Sequence, residues 1–141
     1  MQTFANNMMS ANNRRLRRMV VDILYEKGAL TRVEIAKELA EKRSLREVPS
    51  DNSLSSVLAK NVQIECVDYA VVEKLNGSKT KHMVFDIRRD LIHDKDDIPL
   101  TRPISCMTGA EKRKAERCER CGRQRIMPEE GQPCLHCRRG L

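Results

Sequence analysis

Four cysteines near the C-terminal end have the types and spacing to do chemistry. Cys118 and Cys121 are separated by two residues, twelve residues follow, and Cys134 and Cys137 repeat the spacing. Two residues between cysteines let both sulfurs turn onto one point from a tight knuckle, and two knuckles supply the four thiolates that a tetrahedral zinc ion prefers. A closed set of four sulfurs leaves no open position for water, so the expected metal is one structural Zn2+ and not a catalytic one. A redox pair is the weaker alternative, because two Cys-x-x-Cys pairs together point to metal and no βαβ pattern surrounds them. His136 lies inside the second knuckle, where Cys137 has the better ligand spacing, and is read as exposed. Cys66 and Cys106 are read as incidental thiols and not as a disulfide.

The run from Arg117 to Arg139, RCERCGRQRIMPEEGQPCLHCRR, resembles a short zinc ribbon of the kind that closes many nucleic-acid-handling proteins. Gly122 allows a sharp bend after the first knuckle, and Pro128 to Gly131 have the chemistry of a turn between two short strands. Arginines and lysines crowd this region: Lys112, Arg113, Lys114, Arg117, Arg120, Arg123, Arg125, Arg138 and Arg139. Of these, Arg120, Arg123, Arg125, Arg138 and Arg139 are candidate nucleic-acid contacts.

The chain has 141 residues, a net charge of +7, 33% charged residues, 3% aromatic residues and no Trp. A large single core is therefore not expected, and two small modules are. Residues 1–100 carry 17 Lys and Arg against 15 Asp and Glu, while residues 101–141 carry 10 against 5. This surplus favours an anionic partner, nucleic acid first and an acidic protein surface second, and RNA polymerase or ribosome contact fits as well as free DNA does. The apolar runs are too short to span a bilayer, and the N-terminus lacks the apolar core of a secretory signal. A metal-type cysteine pattern then points to a reducing compartment, cytoplasmic and nucleoid-associated, or nuclear in a eukaryote.

The elements that must position these residues begin after an Asn- and Met-rich stretch, residues 1–12, read as a mobile arm. Leu16, Met19, Val20, Ile23 and Leu24 form one helical stripe over Asn13 to Lys27, ended by Gly28. Arg14, Arg15, Arg17 and Arg18 sit in its first turns, an unfavourable end of the helix dipole for cations, which suggests charge kept for a partner. Thr31 and Glu34 form a capping box for a second helix, Arg32 to about Arg43, with Leu30 and Ile35 at the positions of a hydrophobic staple. Residues 44–50 connect to a third helix, Asn52 to Lys60, capped by Ser50 or Asp51. Leu54, Val57 and Leu58 face inward, and Asn52, Ser53, Ser56 and Lys60 outward. The apolar period then changes to two. Tyr69 to Leu75 and Lys81 to Ile87 are read as strands joined at Asn76-Gly77, the strongest two-residue hairpin signal.

Three helices followed by a hairpin resemble the winged-helix variant of the helix-turn-helix. The stretches that carry the resemblance are GALTRVEIAKELAEK, DNSLSSVLAKN and AVVEKLNGSKTKHMVFDI. The resemblance implies that helix three enters the major groove and that the wing touches backbone or minor groove. Asn52, Ser53 and Ser56 would then meet bases or phosphates, and Lys60, Lys79, Lys81 and the four arginines of helix one would neutralise phosphates. A winged helix can also dock on protein or dimerise through helix one or the N-terminal arm. Residues 89–110, with the HDKDD run and two prolines, are read as a linker.

The whole is expected to be α+β: an arm over 1–12, a winged-helix domain over 13–88, the linker over 89–110 and a basic zinc-ribbon module over 111–141. A winged helix followed by a zinc ribbon is the arrangement of the general transcription initiation factor E family, and archaeal and phage-type transcription regulators are similar. The resemblance implies a transcription regulator or accessory factor, or a docking module in a polymerase or ribosome-associated assembly. No nucleophile elbow, phosphate loop or paired carboxylates suggest an enzyme.

Overall fold

The computed structural model describes residues 2–42 and 49–140; the side chains of residues 2–13 and of Asp51 lie outside that description. The architecture is mixed helix and sheet, α+β, with antiparallel sheets. The chain divides into two compact units, Leu16–Ile87 and Arg88–Leu141, the second joined by Met1–Arg15. Among the described residues no helix is long and apolar enough to cross a membrane.

In the first unit, α1 (Gln2–Lys27) begins well before the expected start at Asn13, within the stretch read as an arm. Leu16, Val20, Val21, Ile23 and Leu24 are buried along it. Gly28 ends it with φ of 85°, and its N–H returns to the Leu24 carbonyl at 2.9 Å. A two-residue strand, β1 (Leu30–Thr31), follows and is too short to show a period in the sequence. Helix α2 (Arg32–Ala40) has the expected capping box: Glu34 N–H donates to Thr31 Oγ1 at 3.3 Å, and Thr31 N–H donates to Glu34 Oε1 at 3.0 Å. The connector expected at 44–50 lies mostly outside the described residues. Ser50 caps α3 (Asp51–Lys60), its Oγ accepting from Ser53 N–H at 3.2 Å. Ile35 and Leu39 of α2 and Leu54, Val57 and Leu58 of α3 are buried.

The capping box of α2 supports a direct test. Thr31→Ala is expected to cost about 1 kcal/mol in urea unfolding. The Glu34 pKa is lowered, first by the Thr31 backbone N–H, then by its hydroxyl, and further by Lys37, against a small opposing effect of burial. A depressed folded pKa stabilises above the unfolded value, about 4.3 for glutamate, and that contribution is lost as pH falls through the folded value. Glu34→Gln is therefore expected to flatten the acid limb of the stability profile below about pH 5.

Strands β2 (Ile64–Glu73) and β3 (Lys79–Ile87) pair antiparallel, and β1 joins the far side of β3, placing Leu30 opposite Phe85. The sheet order is β1-β3-β2. Both hairpin strands are longer than their sequence period suggests. Val62, Ile64 and Cys66 alternate in the sequence but fit a helix exit as well; a register shift between Cys66 and Asp68 separates them from the alternation that follows and so hides the start of β2. The tip also departs from the two-residue turn expected at Asn76-Gly77. Lys74 N–H donates to the Ser78 carbonyl at 2.7 Å and Gly77 N–H to the Lys74 carbonyl at 2.9 Å, a three-residue loop. Gly77 takes φ of 84°, whereas among the described residues no non-glycine residue has positive φ. Asn76 instead uses its Oδ1 to accept from Ser78 N–H at 3.1 Å and Oγ at 2.7 Å. Phe85 and Ile87 are buried, but Tyr69, Val71 and Met83 are exposed, so the outer half of the hairpin stands clear of the core.

The second unit differs most from expectation. Residues 89–110, read as a linker, are packed. Leu91 and Ile92 are fully buried in a turn whose Ile92 N–H reaches the Arg88 carbonyl at 2.8 Å. Helix α4 (Asp97–Thr101) and a 3-10 turn (Ile104–Cys106) follow, with Ile98, Thr101, Cys106 and Met107 buried. The apolar residues here are irregularly spaced between prolines and charges, and their burial depends on partners far along the chain. Helix α5 (Gly109–Lys114) has a second capping box, Thr108 with Glu111. The unit closes with β4 (Glu116–Arg117), β5 (Gln124–Arg125) and α6 (Leu135–Arg138).

Candidate metal centre and nucleic-acid interface

The first cysteine knuckle grows out of the β4–β5 pair, in which Glu116 stands opposite Arg125 and Arg117 opposite Gln124. Cys118 N–H donates to the Arg123 carbonyl at 2.9 Å, and Gly122 N–H, at φ of 76°, donates to the Cys118 carbonyl at 2.8 Å. A side chain at Gly122 would be strained by that backbone. The second knuckle is the start of α6: Cys134 is its N-cap residue, and Arg138 N–H closes on the Cys134 carbonyl at 3.0 Å.

The knuckles bring the four Sγ atoms within 4.8 Å of one another. Cys118 and Cys137 stand 3.8 Å apart, and Cys121 and Cys134 3.7 Å. Sulfurs bound at about 2.3 Å to one tetrahedral centre are separated by about 3.8 Å, whereas a disulfide needs about 2.05 Å. The set is thus compatible with one structural metal site. Cys118 and Cys134 are buried and Cys121 is exposed. Cys66 and Cys106 form no disulfide.

The surroundings prepare sulfur for negative charge unevenly. The amides of Cys134 and then Cys121 bring the Cys118 thiol down to about 6, against the opposing effect of burial. The Arg123 amide lowers Cys121 in the same way. Burial, followed by the three neighbouring sulfurs, pushes Cys137 up to about 12. Four thiols this close cannot all ionise at neutral pH without a cation, and a divalent ion at their centre removes that obstacle.

Three side chains read as surface groups in the sequence turn inward instead, one onto the sulfurs and two onto the segment before them. Arg125, expected to face nucleic acid, is buried, and its Nη1 donates to Sγ of Cys134 at 3.2 Å and of Cys121 at 3.5 Å. It turns inward because alternation along β5 points it at the sulfurs while Gln124 faces out. His136, read as exposed, is 7% exposed, and its Nε2 lies 3.2 Å from the Thr101 carbonyl. A carbonyl only accepts, so Nε2 carries the proton. Burial lowers the His136 pKa, the Thr101 carbonyl opposes that, and Arg125, Arg88 and Arg123 add to it, leaving a neutral ring at pH 7. Arg139 is withdrawn from the expected surface set as well. It donates to the Leu91 carbonyl and, at 3.0 Å, to Asp97 Oδ2. Burial acts against the Asp97 charge, but the His93 N–H, Arg139 and the Asp94 N–H outweigh it and lower its pKa. Thus α6 is tied to α4 at both ends. The sequence signal for these roles is slight, since only the two-residue alternation of β5 hints at Arg125.

The other expected contacts remain at the surface in varying degree. Arg120, Arg123 and Arg138 are exposed, with Arg138 4.0 Å from Glu129. On α3, Asn52 and Lys60 are exposed; Ser53 and Ser56 are half-buried, and Ser53 is engaged by the Ser50 cap. Lys79 and Lys81 are exposed on β3, opposite Glu73 and Val71. On α1, Arg15 is exposed and Arg14, Arg17 and Arg18 half-buried, with Arg14 Nη1 3.5 Å from the Met107 carbonyl.

No protein-family model matches the chain. No curated protein matches it either. Among solved structures, a candidate nucleic-acid-binding protein from an uncultured marine organism is similar at 19% identity and a TM-score of 0.48, over 57% of this chain and 85% of that one. A likeness of that degree carries no conclusion about fold or function.

Proposed function

We propose that the chain is a nucleic-acid-binding accessory factor of the transcription machinery, with Leu16–Ile87 acting as a winged helix and the four cysteines holding one structural zinc in a ribbon-like tail. The observation that carries the reading is on α3. Asn52, Ser56 and Lys60 are spaced i, i+4, i+8 on its outer side, while Leu54, Val57 and Leu58 anchor the opposite side in the core. The helix sits in the same unit as a hairpin that projects Lys79 and Lys81. The β1-β3-β2 order supports a winged helix, because a short strand between the first two helices that joins the hairpin is how that fold closes its sheet. The sulfur spacing supports zinc, and a set of four sulfurs suits structure and not catalysis. The exposed arginines at 120, 123 and 138 would add phosphate contacts from the metal-bearing unit.

Binding of a labelled duplex, measured at several salt concentrations, tests this. Phosphate contacts predict a steep linear fall of log affinity with log salt, and Lys79→Ala with Lys81→Ala is expected to reduce that slope by about two. Flat, weak binding would sink the DNA reading. It would favour docking on protein, for which the exposed Tyr69, Val71, Leu75 and Met83 of the hairpin are the supporting observation. Metal analysis should find one zinc per chain.

A further inference from the structure

We infer that Arg125 is the counter-charge of the four-sulfur centre: a positioning residue that sets how tightly the metal is held and how reactive its exposed sulfur is. The inference rests on the metal reading above and extends it to a residue outside the ligand set. A guanidinium carries a permanent charge and five donors. Burying one is costly unless anions or acceptors face it. Arg125 is 6% exposed, and its Nη1 points at Sγ of Cys134 and Cys121. Neutral thiols are weak acceptors that would leave this cation poorly compensated. Four thiolates around a divalent ion carry a net charge of about −2, which one guanidinium halves. The burial of Arg125 therefore suits the loaded, fully ionised centre.

The contacts are selective. Arg125 touches one sulfur from each knuckle, Cys121 from the first and Cys134 from the second, and so links the two halves of the site. Cys118 already receives the Cys134 N–H at 3.4 Å. Cys121 is the exposed member of the set. A hydrogen bond and a nearby positive charge both draw electron density from a thiolate and reduce its nucleophilicity. Arg125 thus tempers the sulfur of the most exposed residue of the four, Cys137 being half-buried.

The test uses the zinc-loaded full chain and Arg125→Met, which keeps an unbranched apolar stem and removes charge and donors. Competition with a chromophoric chelator is expected to show zinc held about 10- to 100-fold more weakly, the usual cost of losing an outer-shell partner. Iodoacetamide, from which a thiolate displaces iodide to form a thioether, is then applied below the chelating limit and the modified cysteines are mapped. Cys121 is expected to react first and several-fold faster than in the parent, with Cys118 and Cys137 unchanged. Arg125→Lys, which keeps the charge on a compact head, is expected to recover part of both effects and remains informative if the Met variant does not fold. Zinc affinity and Cys121 reactivity within twofold of the parent in Arg125→Met would overturn the inference, and so would a folded Arg125→Lys chain that shows the full 10- to 100-fold loss despite keeping the charge. So would equal acceleration at all four cysteines, which marks simple loosening of the fold. A parent chain that binds no zinc would instead overturn the metal reading itself.

Discussion

Chelating the metal, or replacing Cys134 by Ser, is expected to strip hydrogen-exchange protection from the whole of residues 88–140 while leaving 16–87 folded. The affected region extends well beyond the cysteine loops because α6 is both a ligand-bearing helix and a clamp. Cys134 and Cys137 lie on it, and between and beyond them His136 reaches the Thr101 carbonyl and Arg139 reaches Asp97 and the Leu91 carbonyl. Without the metal, α6 is held only by the Arg139–Asp97 pair, the His136 hydrogen bond and the burial of Leu135, and losing it takes those donors from their partners together. The apolar core of this unit consists of a few side chains, chiefly Leu91, Ile92, Ile98, Met107 and Leu135. So small a core does not sustain some fifty residues without a staple. Binding energies of about 10 kcal/mol or more for four-ligand zinc sites at neutral pH exceed anything else available here. Exchange followed by mass spectrometry, with and without chelator, checks this. Retained protection at Leu91, Ile92 and Met107 in the metal-free chain would show that the segment has a core of its own.

The second large effect is expected in the other unit. Leu54→Ala should cost about 2–5 kcal/mol, whereas Lys60→Ala should stay within about 0.5 kcal/mol. Leu54 is fully buried and holds α3 down on the core, while Lys60, two turns further along, faces solvent. Small domains have about 5–15 kcal/mol of stability in all, so the first change removes a large share and the second little. Urea unfolding of the zinc-loaded chain measures both, and the pair separates two ways of losing nucleic-acid binding. Lys60→Ala is expected to weaken duplex binding without moving the unfolding midpoint. Equal destabilisation by the two would mean that the outer side of α3 is not the free face its exposure describes.

The legible parts of the chain were those whose cause is local. Thr31 and Glu34 announce the start of α2 because a capping box is built from residues three apart. The stripe from Leu16 to Leu24 announces α1, and the paired Cys-x-x-Cys spacing announces the sulfur cluster. Most of the illegible parts have distant causes. Strand β1 is two residues long and exists because Phe85 and Val84 wait more than fifty positions later. Residues 89–110 looked like a linker because neither period organises their apolar residues; their order comes from α6. Arg125 was counted with the surface charges because composition cannot distinguish a cation that faces solvent from one that faces sulfur. For β1 and residues 89–110 the missing information is a partner far away in sequence; for Arg125, whose sulfur partners are four and nine positions off, it is the direction in which a two-residue strand turns its side chain.

The tie between Arg139 and Leu91 has a consequence for how the protein is made. The two residues are 48 positions apart, an interval of roughly 2–10 s at the usual 5–20 residues per second of synthesis. Leu16–Ile87 has all its internal partners by the time Leu91 is added. The Leu91 carbonyl must wait for its Arg139 donor until α6 has been made. If the four sulfurs take up their proposed zinc only once α6 exists, chains made without metal are expected to have a finished front half and a protease-accessible rear, which limited proteolysis of metal-starved preparations would read.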